Sequence, residues 1–267
     1  MKNQFSHLTW PEIAEIQKRP NIIILPVGST EQHGPHLPLN VDSCCPEYIA
    51  EKTASLISQE GDIVALIAPT VHYTEVATFD AFPGSIGVSV DTTANYIMEI
   101  VCGFISNGFN NLLVLNGHSS NMIPINTALR KANIRHPNAG IYGINWWSVG
   151  SSTIKNSLKS KLCLHAEELE TSVSLVAQPE NVKMEKAGAE YPALSLSEKW
   201  ATPDFFGLGK HVFFHSRKKY PEYGTGLGIM GDATKASRET GEKIVEAVVK
   251  DLHDIIIEIV QSEKDFQ

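Results

Sequence analysis

Two short stretches of this chain gather side chains that bind metal ions. The first, Gly28-Ser29-Thr30-Glu31-Gln32-His33-Gly34-Pro35-His36, follows an apolar run from Asn21 to Val27, with Asp42 soon after. The second, Asn116-Gly117-His118-Ser119-Ser120-Asn121, follows the apolar run from Asn111 to Leu115. Carboxylates and imidazoles without thiolates suit zinc, manganese, iron or cobalt. Glu31 and His33 are two apart, so an extended chain points both to one side. Asp42, with two carboxylate oxygens, would bridge two ions. Each residue alone has a plainer explanation: a solvated loop carboxylate for Glu31, a turn histidine for His33, and for His118 a strand-to-helix turn capped by Ser or Asn. Their joint appearance after two apolar runs favours a metal site. The bracketing glycines are expected to allow tight turns that a side chain would block.

A third segment is His165-Ala166-Glu167-Glu168-Leu169-Glu170-Thr171-Ser172. Acidic residues in a helix's first turn complement the macrodipole, and capping alone would explain them. Beside the first two stretches they gain a second meaning, because a hydrolase needs a proton donor and the ions need another carboxylate. His36 and His72 are candidates for supporting or structural roles. His7, His136, His211, His215 and His253 lack such context and read as surface or packing residues.

The elements that must position these groups follow from the apolar pattern. Strands are expected at 21–27, 62–68, 111–115 and 140–144, and helices at 46–58, 92–107, 123–135, about 167–177 and about 236–260. Near-continuous apolar strands alternating with amphipathic helices predict a mostly parallel sheet covered on both faces, an α/β/α sandwich in one domain over residues 1–267. In such sheets ligands sit beyond the carboxyl ends of the strands, where both His-bearing stretches emerge. Residues 147–161, rich in Ser, Lys and Gly, read as a mobile excursion, and 178–231 as an irregular segment of the kind used for lids or oligomer contacts.

Composition narrows the function. A net charge of -8 over 267 residues argues against a nucleic-acid partner. The four cysteines form no Cys-x-x-Cys pair and read as reduced thiols of a cytoplasmic protein. The N-terminus lacks an apolar signal core, and the late run Ile255-Ile256-Ile257-Glu258-Ile259-Val260 is too short to span a bilayer, so a soluble protein without a membrane partner is expected. Neither a Walker A nor a Gly-x-Gly-x-x-Gly motif follows the first strand, which weakens the rival reading of a nucleotide-binding regulatory protein.

The Gly28 to Leu39 stretch with Asp42, Asn116-Gly117-His118 with Asn121, and His165-Ala166 with Glu168 and Glu170-Thr171-Ser172 resemble three motifs of the creatininase family of amidohydrolases. Phe82-Pro83-Gly84-Ser85-Ile86 and Gly231-Asp232-Ala233-Thr234-Lys235-Ala236-Ser237 are similar to two further signatures. The resemblance implies a three-layer α/β/α fold, a cytoplasmic homo-oligomer, often a hexamer, and two divalent metal ions, Zn, Mn or Fe. It implies that Glu31, Asp42 and His118 hold one ion, while His33, Asp42 and a further carboxylate hold the other. Glu170 is the first choice for that carboxylate and Glu168 the second. It also implies His165 as the proton-transfer residue, with Glu168 nearby in the catalytic set. Ser119, Ser120, Asn121 and Trp147 are candidates for orienting substrate. The chain departs from the family's creatinine-cleaving members at Ser119 and Ser120 (Tyr and Glu there) and Leu164 (Glu), and from the wider pattern at Glu167 (Gly) and Phe79 (often His). The reaction implied is hydrolysis of a non-peptide C–N amide bond in a small molecule. Alternatives are a formamide deformylase of a pyrimidine precursor and a peptidase of a short modified peptide.

Overall fold

The computed structural model describes residues 3–191 and 226–262. Its elements run α1 (Trp10–Ile16), β1 (Asn21–Val27), α2 (Val41–Glu60), β2 (Val64–Ile67), α3 (Val90–Ser106), β3 (Asn111–Asn116), α4 (Met122–Arg135), β4 (Gly140–Asn145), α5 (Ser151–Ser157), β5 (Cys163–His165), α6 (Glu168–Ala177), β6 (Ala189–Glu190), β7 (Met230–Asp232) and α7 (Arg238–Ser262).

Four parallel strands form the main sheet in the order β2-β1-β3-β4. Alternate residues of the three buried strands feed two separate cores. Ile22, Ile24, Ala65, Ile67, Leu113 and Leu115 pack with α2, α5, α6 and α7, while Ile23, Leu25, Val64, Leu66, Leu112 and Val114 pack with α1, α3 and α4. Both faces are therefore covered, as the continuous apolar runs require. The result is a three-layer α/β/α sandwich. The helices show why they lie where they do. In α3, Ser89 caps the first turn by accepting from the Thr92 N–H, and Ala94, Ile97, Met98 and Val101 make one buried stripe at helical spacing. Gly61, with φ of 84°, ends α2 in the left-handed conformation that glycine tolerates best.

Three findings differ from the sequence reading. The second helix starts at Val41 rather than Pro46, so Asp42 sits in a helical first turn. The segment 147–161 is not an excursion: it contains α5, whose Ile154 is buried in the core with Val248 of α7. Within 178–231, the described part includes β6 and β7, which join β5 in a small antiparallel sheet of order β5-β7-β6. The remainder of that segment, 192–225, lies outside the described residues, as do His211 and His215.

Strand order fixes the place of the site. From β1 the chain crosses to β2 on one side, and β3 then lies on the other, so the order reverses between β1 and β3. A crevice opens at such a point beyond the carboxyl ends of the strands. The register pairs Val27 with Asn116, which brings the two strands to an end level with each other. The two His-bearing stretches therefore leave the sheet side by side.

Candidate metal centre

Residues 28–33 leave β1 without regular structure, and His33 turns back so that its Nδ1 lies 3.1 Å from the Glu31 carbonyl oxygen. A carbonyl can only accept, so Nδ1 carries a proton on that side and Nε2 is the inner nitrogen, the one an ion would claim by displacing its proton. Nε2 faces Asp42 Oδ1 at 3.1 Å and Glu170 Oε2 at 3.8 Å. His118, just past β3, repeats the arrangement with its nitrogens exchanged. Its Nε2–H donates to the Glu75 carbonyl at 2.9 Å, and Nδ1 faces Asp42 Oδ2 at 2.9 Å and Glu31 Oε1 at 3.3 Å. An outer N–H fixed on a carbonyl and a bare inner nitrogen is how a protein prepares an imidazole for a metal ion.

Asp42 is held between these two rings, one oxygen toward each, while the Ser29 hydroxyl donates to Oδ2 at 2.7 Å. Its main chain explains two of the glycines. A Cβ on Gly28 or on Gly117 would overlap the Asp42 carbonyl oxygen, so the start of α2 rests directly on both turns. Neither glycine has positive φ; close approach, rather than the turn geometry expected above, requires them. Gly34, at φ of 69°, does serve as a turn residue.

His165 ends β5 with Nδ1 3.6 Å from Glu31 Oε1. Phe79 stacks on its ring, centroids 4.0 Å apart. Glu170 enters from the first turn of α6, and its carboxylate also accepts from the Ala166 N–H. Ala166 has φ of 52°, a left-handed conformation unusual for a residue with a side chain.

Three overlapping groups result, each with ligand atoms within 4.8 Å of one another: Glu31, Asp42 and His118; His33, Asp42 and Glu170; and Glu31, His33 and His165. All six residues are buried. Two ionised carboxylates no more than 4.8 Å apart repel by at least roughly 3 kcal/mol at an effective dielectric constant of about 20. Among the described residues no lysine or arginine pairs with these carboxylates, and both Glu31 oxygens lack a hydrogen-bond partner. Without a cation the cluster takes up protons. Burial, reinforced by Asp42 and Glu170, pushes Glu31 up to about 8, and burial together with Asp42 pushes Glu170 up to about 7. Burial opposes charging His33 and His118, but the carboxylates beside them prevail and hold these rings at about 9 and about 10. Asp42, despite its burial, is kept well below the carboxylate range by the two rings. For His165 burial wins, with His33 adding, and the ring stays neutral. An acidic, nitrogen- and oxygen-lined cluster with orphaned lone pairs fits divalent transition metal.

The other predicted residues fall outside these three groups. The Glu168 carboxylate accepts from the N–H groups of Lys159 and Ser160, at 2.7 and 2.6 Å, and is absent from the three groups. Glu167 caps α6 by accepting from Leu169 N–H. Asn121 is buried, with its amide donating to the Gly28 carbonyl at 2.9 Å. Ser119 and Ser120 are half-buried in the turn after His118. Trp147 lies buried in the core, edge-to-face with Trp146. His36 is buried against Thr171 of α6 at 2.9 Å, and burial lowers its pKa to about 4. His72 is exposed, its carbonyl accepting from Thr30. Sequence reasoning missed Gln32, Ser29 and Glu75 as supports. Gln32 and Ser29 stand inside the first motif, while Glu75 acts through its carbonyl, which no residue type betrays.

A family model described as creatinine amidohydrolase matches residues 6–256. The chain is 30% identical to the 3-dehydro-scyllo-inosose hydrolase of Thermotoga maritima, over 96% of this chain and 83% of that one. It is 27% identical to the mycofactocin precursor peptide peptidase of Mycolicibacterium smegmatis, covering 88% and 84%. With the creatinine amidohydrolase of Pseudomonas putida the identity is 28%, covering 94% and 95%. Among solved structures, a zinc–zinc form of a creatininase variant shares the fold with a TM-score of 0.80 at 23% identity, covering 97% and 98%. A manganese form gives 0.79 at 23%, with the same coverage. With a match that spans nearly all of its length, and with the motif residues gathered at the crevice between β1 and β3, the chain belongs to the creatininase family of amidohydrolases.

Proposed function

We propose that this protein is a metal-dependent hydrolase that cleaves a C–N amide bond of a small molecule at a two-ion site. In this reading Glu31, Asp42 and His118 hold one ion, and His33, Asp42 and Glu170 hold the other. The observation that carries it is Asp42, whose two oxygens face the inner nitrogens of two different imidazoles. Divalent ions held there lower the pKa of water toward about 7 and polarise a carbonyl. The chain supplies the rest. Nδ1 of His165, neutral and beside Glu31, accepts a proton and returns it to the departing nitrogen. Phe79 covers one face of that ring and keeps water from it. Ser119 and Ser120 face the substrate; their hydroxyls replace a larger Tyr–Glu pair, so creatinine itself is expected to be a poor substrate. Glu168 is assigned to holding the 159–160 turn instead of to proton transfer.

A second reading is favoured by the inosose hydrolase, the relative of 30% identity: the same site would open a cyclic polyol ketone. One experiment separates the two. Protein loaded with zinc, manganese or iron is screened against cyclic ureides, formamides, short modified peptides and inososes. Release of amine or ammonia supports the amide reading, whereas acid formed without amine, only from the ketones, overturns it. Full activity in exhaustively metal-free protein would refute both. The reading extends to one catalytic domain in a cytoplasmic homo-oligomer, hexameric by analogy with the family, which light scattering would test.

A further inference from the structure

Gln32 lies between Glu31 and His33, yet its own side chain offers no ligand to the ion cluster. Its N–H donates to Ser85 Oγ at 3.0 Å. Its side-chain Oε1 accepts from the Gly34 N–H at 2.8 Å, and its Nε2 donates to the Gly228 carbonyl at 3.0 Å. These two partners fix which end of the amide is which, because an N–H needs the oxygen and a carbonyl needs the nitrogen. The glutamine is buried, and a Cβ on Gly228 would overlap its Oε1, so the amide fills the space between the first motif and the approach to β7.

Two groups of Gln32 meet Nε2 of His165: the main-chain oxygen at 2.8 Å and the amide nitrogen at 3.0 Å. They make opposite demands. The carbonyl can only accept, so it asks for a proton on Nε2; the amide can only donate, so it asks for a bare Nε2. The carbonyl contact is the shorter, and the amide nitrogen keeps Gly228 as its acceptor whichever way His165 is protonated. A proton on Nε2 also leaves Nδ1 bare toward Glu31, where it can take a proton or join the ions. The other tautomer would put N–H on Nδ1 and disable it for both.

We propose that Gln32 is the positioning residue of the site: its carbonyl holds His165 as the Nε2–H tautomer, and its pinned side chain keeps that carbonyl in place. The inference does not depend on which bond is cleaved, and its test needs no substrate. Protein carrying ¹⁵N-histidine and loaded with zinc is studied by magic-angle-spinning nitrogen spectroscopy. The His165 signal is identified by its loss in His165→Gln. The wild type is expected to show His165 protonated on Nε2 alone. Gln32→Met, which keeps the length and loses both side-chain bonds, is expected to add a second His165 tautomer while zinc content is unchanged. Gln32→Glu retains the acceptor for Gly34 but, when ionised, loses the donor to Gly228, and is expected to fall between the two. A wild-type proton on Nδ1 overturns the proposal, as does a Gln32→Met protein that melts lower with an unchanged His165 signal. Should Gln32→Met fail to fold, the wild-type spectrum and Gln32→Glu decide.

Discussion

At the scale of single residues, the acidic groups of the third motif have distinct employments that substitution will separate. Glu170 Oε2 faces the inner nitrogen of His33, so Glu170→Gln is expected to lose one of two ions. Glu167 caps a helix, and Glu167→Gln should lose none. Glu168→Gln should also keep its metal, but it weakens the acceptor shared by two partly buried N–H groups and should cost roughly 0.5–1.5 kcal/mol of stability. Metal analysis and urea unfolding of the three variants give the pattern, and a Glu170→Gln protein that still binds two ions would contradict it. His165→Ala should retain metal yet lower kcat by roughly 10²–10⁴, the usual worth of a general acid–base group. Loss of metal instead would make His165 a ligand, a role that its place beside Glu31 and His33 also permits.

At the scale of elements, much was legible and the omissions have physical causes. The main strands announce themselves because burial on both faces leaves them apolar throughout. The small sheet was invisible since β5 and β7 have three residues each and β6 two, too short for alternation to register. α5 was hidden by a polar composition that buries only Ile154. Glu31, His33, Asp42 and His118 were recognisable from residue type, but the start of α2 at Val41 was not, because Pro46 looks like a first-turn residue. That start matters mechanically. Gly117→Ala would push a methyl group into the Asp42 carbonyl, and the expected result is a loss of about 1–3 kcal/mol together with weakened metal binding. Metal affinity equal to that of the wild type would show that α2 can retreat without moving Asp42. Far from the site, His253 of α7 contacts Glu60 at the end of α2 at 2.9 Å and its neighbour Asp254 at 2.9 Å. The hydrogen bond to Asp254, then the Glu60 charge, raise its pKa despite partial burial. The stability it adds is therefore complete below the unfolded value of about 6.5 and disappears as pH rises through the folded one. His253→Gln should lower the melting temperature slightly in mild acid and leave it unchanged at alkaline pH; an equal effect at both would exclude the ionic origin.

At the scale of the whole molecule, a cluster that binds ions only when folded couples metal to stability. Chelation should lower the melting temperature, and free metal at about 100 times its dissociation constant should restore roughly 2.7 kcal/mol. Calorimetry with and without chelator measures this, and identical melting would mean that the ions contribute nothing to the fold. The cluster also has a history written into its order along the chain. Glu31 and Asp42 flank the start of α2, His118 follows β3, and Glu170 belongs to α6, so more than half of the chain must be in place before the last ligand arrives. During synthesis, a nascent chain that exposes only its first motif offers a partial, mismatched site to whatever cation is near. The expected order therefore puts the metal last, taken up by a folded, proton-filled precursor. Refolding in chelator should return this precursor intact, competent to take up zinc afterwards. A need for zinc throughout refolding would instead make the ion a template for the chain.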